Sequence, residues 1–247
     1  MGLAFIPPTM PTQGVNMPST ITVVDESKTL GTKLPAITQA LNIFSKQVTT
    51  AWGLPPQPVV MGSARGNGTW NVCFVPQFPN PSLANVAYGY HELDSNNNPI
   101  AYIRVNAYGS RNPYGTYIKP LTVLGRQITK AFYTPGIAAV AMHELAEMLV
   151  DPQINAYKLA PDGKQWLCEI CDHTVGNYLI SPDGYNANII APDFTWPAFY
   201  NVNSPAPYSQ MNVPTKPFTL VRGAYGYYKN GNSYTPLTAT SELLDKE

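Results

Sequence analysis

The sequence predicts an α+β fold, in which helices and strands occupy separate stretches of the chain. Apolar residues follow a helical period over 34–51 and again over 137–150. Between these stretches lie short β-branched or aromatic runs that are separated by turn residues. The second half contains short elements between turns and lacks the regular alternation of strands and helices that βαβ units require.

The first half of the chain contains most of the predicted strands. Residues 1–19 carry no charged side chain and are rich in proline, so we expect an extended arm. A strand over 20–24 follows, and then a helix over 34–51 that stops at Gly53. Further strands are predicted at Val59–Met61, Trp70–Val75, 86–90 and 100–106.

Two more helices, over 122–132 and Ile137–Val150, are predicted before the chain becomes irregular. The short elements that follow are expected at 166–173, 178–180, 189–190 and 218–221. From about Asn230 the chain is polar and is predicted to form loops. We therefore divide the protein into an arm (1–19), a folded domain (20–228) and a C-terminal tail (229–247).

Composition excludes several classes of protein. Only 12% of the residues are charged, against about 25% in an ordinary soluble domain. The net charge is zero and lysine and arginine do not cluster, which argues against a nucleic-acid partner. No run of 18 apolar residues predicts a membrane span, and the first residues lack the basic and apolar regions of a signal peptide. Three cysteines make a disulfide framework improbable.

The few acidic residues are concentrated in one part of the chain. Six of the fifteen lie between positions 144 and 172, and two of the three histidines, His143 and His173, border the same window. A chain with so little charge needs a reason to place this much of it together. The concentration therefore indicates a functional site around the helix at 137–150.

The helix at 137–150 is apolar in almost every direction except at His143, Glu144 and Glu147. His143 and Glu147 are four residues apart, which places them about 6 Å apart along the helix axis and on one face. Buried without partners they would destabilise the fold, so either they pair with each other or they bind a metal together. In the second case Glu144 is placed to touch a metal-bound water, as in the H-E-x-x-H helix with Glu as the second ligand.

A metal site needs a third ligand. Asp151 lies about 12 Å beyond His143 along an ideal helix, so we expect it to act at the helix end or behind the ligands. The segment at 166–173 offers Glu169 as ligand and Asp172 as the acceptor that orients His143, and His173 is a rival ligand. The sequence alone leaves the third ligand open among Glu169, Asp172 and His173.

Two weaker candidates remain. Cys168 and Cys171 have the spacing of half a thiolate zinc site, but no second pair exists and Cys73 stands alone, so packed thiols are the preferred interpretation. His91 is placed at a strand end, where a lone histidine is more often structural than catalytic.

Three segments together resemble a zincin-like metallopeptidase family of uncharacterised bacterial and phage proteins. The segments are H-E-L-A-E-M-L-V-D-P at 143–152, E-I-C-D at 169–172 and P-D-F-T-W-P-A-F at 192–199. The resemblance covers residues 20–228. It implies a mixed sheet with an active-site helix and an edge strand, which would be 100–106, that holds an extended peptide or protein substrate.

The same resemblance implies roles for four residues. His143, Glu147 and Glu169 would bind Zn²⁺, and Glu144 would be the general base that takes a proton from the metal-bound water. With Glu147 in place of a second histidine the site is more anionic, so Ca²⁺ or Mn²⁺ is also expected to bind.

A second hypothesis belongs to another class of protein. A phage virion structural or binding protein could retain the metal site without catalysis while its uncharged arms contact other virion proteins. The low charge and the polar arms are the observations that favour it.

Overall fold

A computed structural model of the protein describes residues 17–106, 112–118, 122–123, 126–127, 132–180, 189–231 and 233–237. It has a mixed α+β fold, as predicted. The helices are α1 (Leu34–Trp52) and α2 (Ile137–Val150). The strands of the first half are β1 (Ile21–Asp25), β2 (Val59–Met61), β3 (Trp70–Val75), β4 (Gly89–Leu93), β5 (Pro99–Arg104), β6 (Thr116–Ile118), β7 (Thr122–Val123), β8 (Arg126–Gln127) and β9 (Phe132–Thr134). Those of the second half are β10 (Tyr157–Leu159), β11 (Gln165–Leu167), β12 (Tyr178–Ile180), β13 (Ile190–Pro192), β14 (Gly226–Asn230) and β15 (Ser233–Leu237).

The main sheet has five strands in the order β2-β1-β3-β5-β4. The first four strands are parallel, and β4 runs antiparallel to β5 at the edge, with His91 opposite Ala101. The prediction that 100–106 forms the substrate-binding edge is therefore wrong, because β5 lies between β3 and β4. Its residues are almost all buried, which is typical of an interior strand.

Helix α1 packs across one face of this sheet. Its buried positions include Ile37, Leu41, Phe44 and Val48, and each contributes about 1.5–3 kcal/mol when buried. Gly53 ends the helix as predicted, since it adopts a left-handed conformation with φ 63° and its N–H bonds to carbonyl oxygens of the last turn.

The two faces of the sheet bury separate cores. Because side chains alternate along a strand, Val72 and Phe74 of β3 join the large core with α1 and α2, whereas Cys73 and Val75 face the opposite side. Tyr90 on β4 packs on that opposite side too. Residues 89 and 91 therefore face the helices.

The second half of the described chain forms smaller sheets beside α2. Strands β10-β11-β14-β15 make an antiparallel sheet, and β12 pairs with β13. No helix in the described part of the chain is long and apolar enough to cross a membrane.

Several element predictions need correction. Where residues of the predicted helix at 122–132 are described they are extended, with β7 and β8 forming a short antiparallel pair. The strand predicted at 86–90 begins only at Gly89. Residues 233–237 of the predicted loop-like tail form β15, which pairs with β14. Of the predicted arm and tail, residues 1–16 and 238–247 lie outside the described residues.

Candidate metal centre

Helix α2 brings the two central residues of the predicted motif together. His143 Nε2 lies 3.2 Å from Glu147 Oε1, and the Glu147 residue is only 3% exposed. Asp151 ends the helix, where its Oδ1 accepts hydrogen bonds from the N–H groups of Asn155 and Ala156 at 2.8 and 2.9 Å. The prediction that Asp151 acts at the helix end is confirmed.

The edge strand β4 contributes His91 to the same place. Its Nδ1 lies 3.5 Å from Glu144 Oε2 and 3.9 Å from Glu147 Oε2, and its side chain is 6% exposed. The strand comes close to α2 because residue 89 is glycine. A Cβ at Gly89 would lie 2.6 Å from Val140 Cγ1 and 2.9 Å from Glu144 Oε1.

The third contributor is the segment after β11, which carries Glu169 and Asp172. The Cys171 N–H donates to Glu147 Oε1 at 3.3 Å, and the Cys168 N–H donates to the carbonyl of Ala156 at 2.9 Å. These bonds hold the segment across the end of α2. Asp172 Oδ1 lies 3.0 Å from His143 Nε2 as a result.

The motif at 192–199 supports this segment and supplies no residue to the candidate ligand groups. Thr195 binds the carbonyl of Ile170 through both its N–H (2.8 Å) and its Oγ1 (3.1 Å). The Trp52 indole of α1 donates to the carbonyl of Thr195 at 3.0 Å, and Phe194 packs edge-on against Phe44 with ring centroids 5.5 Å apart. The motif therefore fixes the 169–172 segment against α1.

The side chains form two candidate ligand groups that share Glu147. One group contains His143, Glu147 and Cys171, and the other contains His91, Glu147 and Glu169; within each, the ligand atoms lie within 4.8 Å of one another. His143 and Glu169, predicted as ligands of one ion, fall in different groups. Asp172 approaches His143 at its Nε2, the same atom that faces Glu147, so its position suits a ligand as well as an orienting acceptor.

The other predicted candidates are placed differently. His173 lies outside both groups and is buried in an aromatic cluster, stacked on Phe199, with Nδ1 3.0 Å from the Tyr200 hydroxyl. Burial lowers the pKa of His173 to about 4. Cys168 also lies outside the groups, and both Cys168 and Cys171 are buried free thiols.

Both imidazoles at the centre are surrounded by negative charge. Burial opposes protonation of His91, but the neighbouring carboxylates, with Glu169 the strongest, raise its pKa to about 10. Burial likewise opposes protonation of His143, and the carboxylates of Glu147 and Asp172 outweigh it, so the pKa of His143 lies well above its usual value.

Burial and neighbouring negative charge also raise the pKa values of two of the carboxylates. Burial raises the pKa of Glu147 to about 7, helped by Asp172 and opposed by His143. Burial and the charge of Glu147 hold the pKa of Glu169 well above its usual range, against the effect of His91. The cluster thus balances its excess negative charge by retaining protons, and a divalent cation would displace them.

Unpartnered polar atoms supply an independent test of whether the cluster fits a metal. His91 Nε2 and Glu169 Oε2 are buried without a hydrogen-bond partner. Each such atom destabilises the fold by about 1–3 kcal/mol unless something binds it. Imidazole nitrogen and carboxylate oxygen are donors that Zn²⁺ and Mn²⁺ accept, so the residues fit a divalent cation.

The cluster forms the floor of a cleft of about 560 Å³ between β4, α2 and the second half of the chain. Partial burial and the charge of Asp172 keep the pKa of Tyr225 well above its usual value, so its phenol remains a hydrogen-bond donor at the cleft wall. The wall residues are mainly apolar or aromatic and include Val86, Tyr88, Val140, Tyr178, Tyr225 and Tyr227.

His91 is the residue that sequence reasoning undervalued. Its signal was weak, since a single histidine on a short strand has no spacing partner of its own. The informative feature is its place two residues after Gly89, because positions 89 and 91 share one face of the strand. Recognising that face required knowing that α2 packs against it.

Comparison of the chain with family models, with curated proteins and with solved structures found no match.

Proposed function

We propose that this protein is a metal-dependent hydrolase, of the peptidase class and with a zincin-like site. One observation carries the proposal: two imidazoles and four carboxylates converge at the floor of a cleft, and two of their buried atoms, His91 Nε2 and Glu169 Oε2, have no hydrogen-bond partner. Burying so many ionisable side chains together destabilises the fold unless a cation binds there. It lies beside an edge strand, where an extended peptide can pair.

His143 and Glu147 would hold the cation, with Glu169 or Asp172 as the third ligand. The bound cation would supply Lewis acidity to polarise the scissile carbonyl. Glu144 lies on α2 next to His143 and lines the cleft. Its carboxylate, whose Oε2 faces His91 at 3.5 Å, would accept the proton of the attacking water and pass it to the leaving amine.

The free edge of strand β4 can pair with an extended substrate. The carbonyl of Tyr88, the residue before β4, accepts from the Arg104 N–H at 3.1 Å, and hydrogen-bonded pairs alternate along an antiparallel ladder. The main-chain groups of Gly89 and His91 therefore point away from β5, toward the free edge. A peptide bound there would pass directly over the carboxylate cluster.

The test compares Glu144→Gln with the wild type on a fluorescently labelled, unfolded casein in the presence of Zn²⁺. We expect hydrolysis to fall by about 10²–10⁴-fold, the usual contribution of a general base, while bound metal is retained. Glu92→Gln is the matched control, since Glu92 lies on the same strand but does not line the cleft, and it should keep full activity. Hydrolysis that survives Glu144→Gln would overturn the assignment of the base.

A further inference from the structure

We propose that the cluster holds two divalent cations bridged by the Glu147 carboxylate. This inference rests on the proposed function in one respect, namely that the cluster binds metal at all. It goes further by assigning His91 and the edge strand to a second cation site.

The bridging role follows from the two oxygens of Glu147, which face different partners. Oε1 lies 3.2 Å from His143 Nε2 and accepts from the Cys171 N–H. Oε2 lies on the side of His91, 3.9 Å from its Nδ1. A carboxylate presented in this way can bind one cation through each oxygen, with the cations about 3.5–4 Å apart as in other two-metal sites.

The first site has its own donors. His143, Glu147 and the Cys171 thiol bring their ligand atoms within 4.8 Å of one another, and His143 Nε2 lies 3.2 Å from Glu147 Oε1. Asp172 Oδ1 adds a carboxylate oxygen 3.0 Å from His143 Nε2. Imidazole and carboxylate oxygens thus suffice for one cation, with the thiol as a further donor.

The second site is built from different residues except for Glu147. His91, Glu147 and Glu169 bring their ligand atoms within 4.8 Å of one another. Glu169 is 7% exposed, and its Oε2 is buried without a hydrogen-bond partner. Glu144 Oε2, 3.5 Å from His91 Nδ1, lies close enough to touch this cation or a water bound beside it.

The charge of the cluster matches that of two divalent cations. With neutral imidazoles the four carboxylates, Glu144, Glu147, Glu169 and Asp172, carry four negative charges. Among the described residues no lysine or arginine lines the cleft to offset them. One divalent cation would leave two of these charges to be balanced by retained protons, whereas two cations would balance all four without them.

The test is metal stoichiometry in the full chain. The protein is stripped with a chelator, loaded with excess ZnCl₂, dialysed and analysed for zinc by mass spectrometry. We expect two ions per chain in the wild type and one in His91→Ala and in Glu169→Gln, two separate variants of the second site. Circular dichroism confirms that each is folded. Asp162→Asn, which alters an exposed carboxylate that does not line the cleft, should keep two ions.

Loading with Mn²⁺ tests the bridge itself. Two Mn²⁺ ions joined by one carboxylate give an exchange-coupled electron paramagnetic resonance spectrum, which His91→Ala should convert to that of an isolated ion. Two uncoupled ions in the wild type would overturn the bridge.

The outcomes separate the two proposals. One zinc per chain in the wild type would overturn the second site while leaving the proposed hydrolase intact, and no zinc would overturn both. Two ions that persist in both His91→Ala and Glu169→Gln would overturn the assignment of these residues to the second site.

Discussion

Gly89 sets the distance between β4 and α2, and we predict that Gly89→Ala damages both stability and activity. The added methyl would lie 2.6 Å from Val140 Cγ1, a stiff side chain, and 2.9 Å from Glu144 Oε1. Overpacking of this kind costs about 1–3 kcal/mol, measurable by urea unfolding. Displacement of Glu144 should also reduce casein hydrolysis.

The control for this prediction is the double variant Gly89→Ala/Val140→Ala. Removing the Val140 methyls should make the double variant more stable than the sum of the two single effects predicts. It should not restore hydrolysis, because the contact with Glu144 remains. Full activity in Gly89→Ala would show that Glu144 does not need its present position.

The lowered pKa of His173 predicts that the stability of the protein depends on pH. Its pKa is about 4 in the folded protein and about 6.5 when unfolded. Between these values the unfolded chain binds a proton at this residue that the folded protein does not. The contribution of His173 to the free energy of unfolding is therefore complete above pH 6.5 and is lost as the pH falls toward 4. The loss is about 3 kcal/mol.

The measurement compares urea unfolding of the wild type and His173→Phe from pH 7 to 4, with a chelator present. Burial raises the pKa of Asp193 to about 6, which stabilises the fold as the pH falls, but this effect is common to both proteins and cancels. We expect the stability advantage of the wild type over the variant to shrink across the window. A constant difference would contradict the prediction, whatever its size.

At the scale of elements, the segment 169–172 depends on the motif after β13, and we predict that Thr195→Val loosens the metal centre. The valine keeps the shape but loses the hydroxyl that donates to the Ile170 carbonyl at 3.1 Å. The expected destabilisation is about 1–2 kcal/mol. Zinc affinity measured by calorimetry should also fall, because the segment carries Glu169 and Asp172.

Thr195→Ser is the matched control, since it keeps the hydroxyl and loses only a methyl group. Its zinc affinity should stay near that of the wild type. Equal affinity in Thr195→Val would show that the motif supports the fold without positioning the ligands.

The helices were predictable because their signals are local. In α1 the apolar spacing and Gly53 determine both the buried face and the end, and Ile137–Val150 was predicted at its observed limits. The stretch at 122–132 misled because an apolar spacing of helical type in a short segment does not exclude strands, and Thr122–Val123 is β-branched. Strand order was beyond the sequence, because the parallel pairs of β1 with β3 and of β3 with β5 join strands that are far apart in the chain.

Only the part of the site that lies on helix α2 was predictable from the sequence. The four-residue spacing of His143 and Glu147 survives as a 3.2 Å contact. The division between the two ligand groups depends on how β4 and the 169–172 segment meet α2, which no spacing within α2 encodes. The sequence therefore names Glu169 as a candidate ligand, but it does not indicate that Glu169 falls in the group that contains His91.

At the scale of the whole molecule, the cluster joins parts of the chain that are far apart in sequence. Strand β4 belongs to the main sheet, α2 covers that sheet, and the 169–172 segment belongs to the second half. A cation bound by all three would link them in the folded state only. Metal binding should therefore raise the stability of the whole protein, in addition to any effect on activity.

We accordingly predict that removing metal lowers the melting temperature of the whole protein. A ligand that binds only the folded state at a hundred times its dissociation constant stabilises it by about 2.7 kcal/mol, which corresponds to about 5–10 °C for a chain of this size. Differential scanning calorimetry with excess ZnCl₂ and with chelator should show this difference in the wild type. In Glu147→Gln, which removes the charge shared by both ligand groups, the two melting temperatures should converge. Asp162→Asn should respond as the wild type does, and a wild-type melting temperature that ignores the chelator would refute a structural link through the metal.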